Sequence, residues 1–334
     1  MSVVSIRFLV SRGINQLRCW ASYALSCVGV VRVRYMPTFV SVEPANWCQL
    51  RCPECPVGQR ASGRARAENA QSRPRQLLST EMFRTILGQI ERTAHTIQFY
   101  FQGEPLLNAA LPEMIAMAHQ AGLYTIVSTN GQALNQATAE RLVASGLRRI
   151  IVSIDGFSQK SYSAYRIGGR LELAMAGLHY LQEAKEKYRS AIQIELQVLR
   201  LSSNEEQWEH IRQHYHEWGA THLTFKTAQF YDYKEGNQLM PSEERYSRYR
   251  KRKDGLYHLH RREHRSCYRL WSGCVITAEG TVLPCCYDKG ADHAFGNIGE
   301  HSLESIWHGI TAEAFRRRIL HKADRPKMCG ECYY

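Results

Sequence analysis

The chain has 334 residues, of which 44% are hydrophobic and 22% charged. This composition excludes a disordered or fibrous protein, and the length suffices for one large and one small domain. The formal net charge of +12 is local: residues 1–78 hold eleven basic and three acidic side chains, and residues 245–270 hold ten and two. No aromatic-interleaved RNA-binding motif accompanies them, which disfavours nucleic acid and leaves an acidic partner or solvated loops open.

Residues 1–37 form a basic extension in which apolar and arginine positions alternate with a helical period, and we predict an amphipathic helix there. The helix could pack on the core or make peripheral contact with a membrane, and small and polar interruptions of its apolar face favour packing. The longest near-apolar run, residues 21–31, is too short to span a bilayer and shows no clear cleavage site. We therefore expect a cytoplasmic protein whose clustered cysteines are metal ligands.

Three cysteines follow the first predicted strand with C-x3-C-x2-C spacing: Cys48, Cys52 and Cys55. Three thiolates in one short loop can hold three irons of a four-iron cluster and leave the fourth iron open to a substrate or cosubstrate. A zinc knuckle is the alternative, but zinc motifs usually combine two C-x2-C pairs, and no fourth ligand follows nearby in the sequence. The spacing therefore favours the open cluster.

Short apolar segments alternate with helical ones along the first two thirds of the chain. The predicted strands are residues 39–43, 96–101, 124–129, 149–154, 192–199 and 222–226. The predicted helices are residues 79–93, 111–121, 136–145, 171–187 and 205–218. Such alternation indicates parallel βαβ units, so we predict an α/β fold, a partial (β/α)6 TIM-like barrel with its chemistry at the carboxyl ends of the strands.

Polar motifs follow the second, third and fourth of these strands: Gln102-Gly103-Glu104-Pro105, Ser128-Thr129-Asn130-Gly131, and Ser153-Ile154-Asp155-Gly156 with Arg166 beyond it. Each motif alone could be a turn with a chance polar residue. A Gly–Glu pair nevertheless offers close backbone approach and a carboxylate acceptor suited to an ammonium group.

Together, the cysteine motif and these three motifs resemble the radical S-adenosylmethionine (radical SAM) family over residues 39–226. The resemblance implies a [4Fe–4S] cluster that binds S-adenosyl-L-methionine and cleaves it to a 5′-deoxyadenosyl radical, which abstracts hydrogen from a substrate. It implies that Glu104 binds the amino group and that Ser153 and Arg166 bind the carboxylate. The cofactor-binding residues implied in full are Gly103, Glu104, Ser128, Asn130, Ser153 and Arg166. Glu54 stands where the family often has an aromatic residue.

The segment 237–334 carries a second set of cysteines. Residues 275–284, with Glu279 and Gly280 at the centre, predict a β-hairpin that presents Cys285. The spacing resembles the SPASM/twitch extension of radical SAM enzymes, which implies an auxiliary [4Fe–4S] cluster held by Cys267, Cys285, Cys329 and Cys332. Cys274 or Cys286 could replace Cys267, and a four-cysteine zinc site is the alternative. We thus expect an extension (1–37), a radical SAM core (38–236), and a linker with an auxiliary-cluster domain (237–334).

An auxiliary cluster beside the substrate can accept an electron, which favours oxidation or bond formation. We expect an oxidoreductase-type enzyme that acts on a peptide or small molecule, of acidic character if the basic stretches bind it, and that receives electrons from a flavodoxin or ferredoxin. Asp288, or alternatively Tyr287, is a candidate proton acceptor in catalysis. Two other functions stay open: a zinc-stabilised binding module, and an iron–sulfur electron-transfer protein that never cleaves S-adenosylmethionine.

Overall fold

The computed structural model describes residues 6–64, 73–260, 266–330 and 332. The strands are β1 Phe39–Val42, β2 Thr96–Phe99, β3 Tyr124–Thr129, β4 Arg149–Ser153, β5 Gln193–Arg200, β6 His222–Thr227, β7 Tyr249–Lys251, β8 Tyr257–Leu259, β9 Gly273–Ile276, β10 Thr281–Leu283 and β11 Gly296–Asn297. The helices are α1 Ile6–Ser26, α2 Pro56–Ala61, α3 Thr80–Ile90, α4 Leu111–Gln120, α5 Gln136–Ala144, α6 Gln159–Tyr165, α7 Leu171–Lys187, α8 Trp208–His214, α9 Tyr268–Ser272, α10 Leu303–Trp307, α11 Ile310–Leu320 and α12 Lys327–Gly330.

Strands β1 to β6 lie side by side in chain order, and every neighbouring pair is parallel. Helices separate them in the sequence, which confirms the predicted partial (β/α)6 barrel. Side chains alternate across each strand: Val40 and Val42 of β1 are buried in the core between sheet and helices, so Ser41 faces the barrel interior. The carboxyl ends of the strands meet at one rim, which gathers the loops that carry the sequence motifs.

The C-terminal strands extend the barrel sheet. Strand β9 pairs in parallel with β1, placing Gly273 opposite Phe39, and β10 pairs antiparallel with β9. Gly280 turns this hairpin with φ +86°, a conformation that favours glycine, and the predicted hairpin is thereby confirmed. Its pairing with β1 is not predicted from sequence; it supplies hydrogen-bond partners to a strand that would otherwise form an open sheet edge.

Between β4 and β6, two helical segments differ from the sequence prediction. Helix α6 is not predicted; it begins at a capping box between Ser158 and Ser161. The helix predicted at 205–218 is shorter, because a 3-10 turn, Ser202–Gln207, precedes α8. The Asn204 side chain stabilises that turn by donating to the Leu199 carbonyl at 2.8 Å. Within the described ranges, no helix combines the length and apolar character needed to cross a membrane.

Candidate active site

The three cysteines of the first motif share one loop between β1 and α2. Cys52 is only 7% exposed, and the Leu50 N–H donates to Cys48 Sγ at 3.3 Å. Gly58 in α2 lets that helix pack on the loop, since a Cβ there would lie 2.4 Å from the Cys52 carbonyl oxygen. Burial raises the pKa of Cys48 to about 12 and that of Cys52 to about 11, and each thiol lies within electrostatic range of Cys55.

This environment fits an iron–sulfur cluster held by the three thiols. A buried thiolate is costly unless positive charge compensates it, and bound iron supplies that charge. In the part of the chain that the structure describes, no three Cys, His, Asp or Glu side chains surround one point as ligands of a single ion would. A cluster binds each cysteine through a different iron, so its thiols need not converge on one point.

Glu54, the departure from the family pattern, connects the cysteine loop to the segment after β6. One carboxylate oxygen accepts a hydrogen bond from the Tyr231 N–H at 3.0 Å, and the other accepts from Asn237 Nδ2 at 3.1 Å. Glu54 therefore has a positioning role where the family often has an aromatic residue.

Glu104 lies at the rim beside this loop. Gly103 has φ +69°, and a Cβ there would lie 2.2 Å from the Ala45 carbonyl oxygen, so only glycine allows the two loops to approach. The Glu104 N–H donates to the Trp47 carbonyl at 2.9 Å, which fixes the carboxylate next to the cysteines. Burial raises the pKa of Glu104, whose side chain interacts electrostatically with Cys48.

Hydrogen bonds from the end of β3 orient the Glu104 carboxylate. Thr129 Oγ1 donates to Oε1 at 2.6 Å, and the Asn130 N–H donates to Oε2 at 2.8 Å. Asn130 Nδ2 also lies 3.3 Å from Cys48 Sγ, which joins the acid to the cysteine loop. The half-buried Ser128 alternates with Thr129 along β3, so its side chain points into the barrel. Thr129 is not among the predicted site residues. It lies on the opposite face of β3 from Ser128, and it orients the carboxylate of Glu104.

Arg166 joins the end of β4 to the cysteine loop. Its Nε lies 2.6 Å from the fully buried Asp155 carboxylate, and its Nη1 lies 3.9 Å from Cys52 Sγ. Burial opposes the charge of Arg166, but Asp155 and Cys52 outweigh burial and raise its pKa well above the ordinary value. Ser153 lies nearby on β4, where Gln197 Nε2 approaches its hydroxyl at 3.4 Å. Asp155 is a second site residue that is not predicted from the sequence.

The C-terminal cysteines form a second group. Burial raises the pKa of Cys285 well above its ordinary value, and Cys286, Cys267 and Cys329 act on it in the same direction, so these three thiols lie within electrostatic range of Cys285. Cys332 is half-buried after α12.

The two spare cysteines differ in position. Cys274 lies in β9, where burial raises its pKa to about 12 and Arg316 is its charged neighbour. Cys286 instead adjoins the second group and accepts a contact from Arg269 Nη1 at 3.4 Å.

Asp288 lies just beyond Cys285 and organises its loop. Its carboxylate oxygens accept hydrogen bonds from the N–H groups of Asp292 at 3.0 Å and His293 at 3.1 Å, and burial raises its pKa. These bonds tie both oxygens to the loop backbone. A catalytic role for Asp288 stays a prediction.

Two family models match the chain. The model of the radical SAM superfamily matches residues 42–196, which contain the cysteine loop and the ends of β2, β3 and β4. The chain belongs to the radical SAM superfamily. The SPASM model, an iron–sulfur cluster-binding domain, matches residues 267–333, where the second cysteine group lies.

This radical SAM protein is similar to relatives along most of its length. An AdoMet-dependent heme synthase of Methanosarcina barkeri is 24% identical over 332 residues, which cover 89% of each chain. A PqqA peptide cyclase of Rhizobium meliloti is 26% identical over 321 residues, which cover 89% of this chain and 79% of the cyclase. The crystal structure of Streptococcus suis SuiB bound to precursor peptide SuiA shares the fold, with a TM-score of 0.61, 13% identity, and coverage of 91% of this chain and 71% of SuiB.

The two domains determine the cofactors. A radical SAM domain uses a [4Fe–4S] cluster and S-adenosylmethionine, and a SPASM domain carries auxiliary [4Fe–4S] cluster chemistry. The chain is therefore a radical SAM enzyme with a SPASM domain, as its motifs predict, rather than a zinc module or a plain electron carrier.

Proposed function

We propose that Cys48, Cys52 and Cys55 hold the catalytic cluster and that the ends of β2, β3 and β4 bind S-adenosylmethionine. The contact that carries this proposal is made by Asn130, which reaches Cys48 Sγ with its side chain and Glu104 with its backbone N–H. A single residue thus links a cluster thiol to the buried carboxylate that is suited to an amino group.

The other cosubstrate contacts follow from charge and position. Asp155 holds Arg166 through Nε, which leaves the outer nitrogens of the guanidinium on the side of Cys52. A guanidinium fixed in this way offers a fork to a carboxylate, and Ser153 adds a hydroxyl from the same strand. Gly103 provides backbone approach, and Ser128 lines the interior from β3.

For the auxiliary cluster we propose the ligands Cys267, Cys285, Cys329 and Cys332. When bound, the catalytic cluster and its cosubstrate supply hydrogen-atom abstraction from a substrate. Gln102 Nε2, in the loop after β2, donates to the Lys289 carbonyl at 2.7 Å, so the loop that follows Cys285 borders the barrel. An electron acceptor at that border favours net oxidation or bond formation, an oxidoreductase-type outcome.

The charges inside the barrel support an anionic substrate. Leu223 and Phe225 of β6 pack on the core, so Lys226 faces the barrel interior. Lys226 is accessible to solvent, and partial burial of its side chain is the main cause that lowers its pKa. The principal charges acting on it are one carboxylate, Glu195, and three guanidiniums: Arg149, Arg248 and Arg269.

Glu195 is already paired. Arg149 Nε lies 2.6 Å from Glu195 Oε2, so the negative charge of Glu195 is balanced by Arg149 rather than by Lys226. Arg248 and Arg269 also contact the loop that follows Cys285. Arg269 reaches Cys286 Sγ, and Arg248 Nη1 lies 3.4 Å from the Tyr287 hydroxyl. A carboxylate bound there would lie between the barrel and the auxiliary cysteines.

The relatives' names support a peptide substrate first and a small molecule second, since one relative is a peptide cyclase and SuiB is seen with a precursor peptide. We further propose a flavodoxin or ferredoxin as reductant, because a chain of net charge +12 attracts such acidic carriers. A cytoplasmic location would keep the free thiols reduced.

Anaerobic reconstitution tests the two-cluster proposal. We expect about eight irons per chain and, with dithionite and S-adenosylmethionine, release of 5′-deoxyadenosine. The variant Cys52→Ala should lose this release, whereas Cys27→Ala, outside both cysteine groups, should keep it. Protein that binds zinc and no iron, or iron-loaded protein that never releases 5′-deoxyadenosine, contradicts the proposal.

The variant Lys226→Gln tests the anionic substrate. A deuterated library of acidic peptides identifies a substrate by deuterium transfer into 5′-deoxyadenosine. With that substrate, KM should rise roughly tenfold in the variant because one charged hydrogen bond is lost. Cleavage of S-adenosylmethionine without substrate should be unchanged. The control Lys187→Gln removes an outer lysine that pairs with Glu140 and should leave KM unchanged. An unaltered KM in Lys226→Gln would assign the cationic interior another role.

A further inference from the structure

Helix α1 packs on the body of the protein with its polar side. Its buried residues recur every three or four positions and form one stripe: Arg12, Asn15, Cys19, Ser22 and Ser26. A surface helix normally turns its apolar face to the core and its polar face to water. Helix α1 is therefore inverted, which the sequence pattern alone did not reveal.

Hydrogen bonds fix this orientation. The Arg12 guanidinium donates to the carbonyls of Glu91 at 3.0 Å, Ala121 at 2.6 Å and Gly122 at 2.8 Å. Asn15 Nδ2 donates to the Met36 carbonyl at 2.8 Å, and its Oδ1 accepts from the Met36 N–H at 3.0 Å. Rotation of α1 about its axis would leave these buried groups without partners, so the polar stripe is held inward.

The opposite side of α1 is apolar and faces solvent. Ile6 is 78% exposed, Leu9 56%, Leu17 61% and Trp20 53%, and Val28 just beyond the helix is 72% exposed. A continuous apolar surface of this kind marks a site of interaction with a partner or a membrane.

The charges around this surface distinguish between those partners. Residues 1–42 contain five arginines and no aspartate or glutamate. Arg12 is buried, and the other four are exposed: Arg7, Arg18, Arg32 and Arg34. An apolar helix face with a tryptophan and flanking arginines is complementary to the interface of an anionic bilayer. We propose that α1 docks this enzyme peripherally on an anionic lipid surface.

The position of α1 keeps the active site accessible in the docked state. The carbonyls that Arg12 contacts lie at the carboxyl ends of α3 and α4, directly before β2 and β3. Helix α1 thus covers the end of the barrel where these strands begin, and the cysteine loop lies at the opposite end. On a membrane, the open rim would face the aqueous phase, where a peptide and a reductant can reach it.

Flotation of the full-length protein with lipid vesicles tests the proposal. We expect binding to phosphatidylcholine vesicles that contain about one-third phosphatidylglycerol, weaker binding to pure phosphatidylcholine, and loss of binding at high salt. The variant Leu9→Gln/Leu17→Gln keeps helix propensity and should weaken binding about tenfold or more, since two inserted side chains are lost. The control Leu173→Gln/Ile310→Gln removes two exposed apolar residues elsewhere and should bind normally.

Thermal melting followed by circular dichroism checks that each variant is folded before flotation. Equal binding to anionic and neutral vesicles, or binding that survives Leu9→Gln/Leu17→Gln in folded protein, overturns the proposal. Absence of vesicle binding combined with a dimer that this variant dissociates would assign the face to a second copy of the chain and likewise overturn it.

Discussion

At the scale of single residues, the site depends on a few buried charges whose partners fix their direction. Glu104 is the clearest case, because its side chain is buried and both carboxylate oxygens accept hydrogen bonds. These bonds hold the carboxylate beside Cys48 before any ligand arrives. Such preorganisation lowers the entropic cost of binding an ammonium group.

The variant Glu104→Gln tests this role. The amide keeps the shape but removes the charge and replaces one acceptor with a donor, which opposes either Thr129 Oγ1 or the Asn130 N–H. The Kd for S-adenosylmethionine, measured by calorimetry on reconstituted protein, should rise about tenfold or more.

The exposed Glu113 provides a control for Glu104. It pairs with Arg84 on the surface, so Glu113→Gln should leave the Kd unchanged. If Glu104→Gln binds as tightly as wild type in folded protein, the ammonium contact lies elsewhere.

Gly103 sets the distance between two loops. A Cβ at this position would lie 2.2 Å from the Ala45 carbonyl oxygen and 2.7 Å from the Trp47 nitrogen, and its φ is +69°. Because backbone atoms cannot yield as a flexible side chain can, Gly103→Ala should lower the free energy of unfolding by about 1–3 kcal/mol. It should also raise the Kd for S-adenosylmethionine. Chemical denaturation and calorimetry measure the two effects.

Gly88 is the matched control for this substitution. It lies inside α3, and a Cβ there meets nothing within 4 Å. Gly88→Ala should therefore raise the free energy of unfolding by about 0.5–1 kcal/mol. If both glycine variants shift stability in the same direction, close loop approach does not explain the requirement at Gly103.

At the scale of elements, α1 is held by a guanidinium that caps two other helices. Arg12 binds carbonyls at the carboxyl ends of α3 and α4, where unpaired carbonyls and the helix dipole favour a cation. Burial lowers the pKa of Arg12, but an arginine guanidinium remains protonated in proteins. Arg12 thus places a positive charge beside backbone carbonyls that have few other hydrogen-bond donors.

We expect Arg12→Met to lower the free energy of unfolding by about 2–4 kcal/mol, because charged hydrogen bonds are lost and buried carbonyls remain unpaired. Urea denaturation measures the change. Arg18→Met removes an exposed arginine of the same helix and should change stability by less than about 0.5 kcal/mol. Similar effects from both variants would mean that charge in α1, rather than the caps, matters for stability.

The sequence predicts the elements well where local periodicity decides them. Apolar runs and turn residues predict strands β1 to β6 and the hairpin formed by β9 and β10, and the cysteine spacing indicates the site. The inverted packing of α1 depends on which backbone carbonyls at the carboxyl ends of α3 and α4 lack a hydrogen-bond donor. No local sequence pattern in α1 contains that information. The role of Thr129 is not predicted for a related reason, since its partner, Glu104, lies in the loop after a different strand, β2.

At the scale of the whole molecule, one arginine joins the barrel to the C-terminal hairpin. Arg73 lies between two carboxylates: it contacts Glu43, after β1, at 2.7 and 2.8 Å, and Glu279, in the turn of the hairpin, at 2.8 Å. Asn46 Nδ2 adds a contact to Glu279 at 3.0 Å. The hairpin that precedes Cys285 is therefore fixed relative to the strand that precedes Cys48.

Replacing Arg73 with methionine should lower the free energy of unfolding by about 3 kcal/mol near neutral pH, because the fully buried Glu43 loses its cation. Burial already raises the pKa of Glu43 against the effect of Arg73, so the variant should raise it further. A carboxyl with a raised folded-state pKa adds stability below its unfolded pKa and loses it as pH rises through the folded pKa. The deficit in the free energy of unfolding relative to wild type should therefore shrink toward about pH 5, as measured by urea denaturation across pH.

Arg84→Met, which breaks an exposed pair, should lower the free energy of unfolding by less than about 1 kcal/mol at every pH. A pH-independent deficit in Arg73→Met would show that Glu43 is not the group left uncompensated.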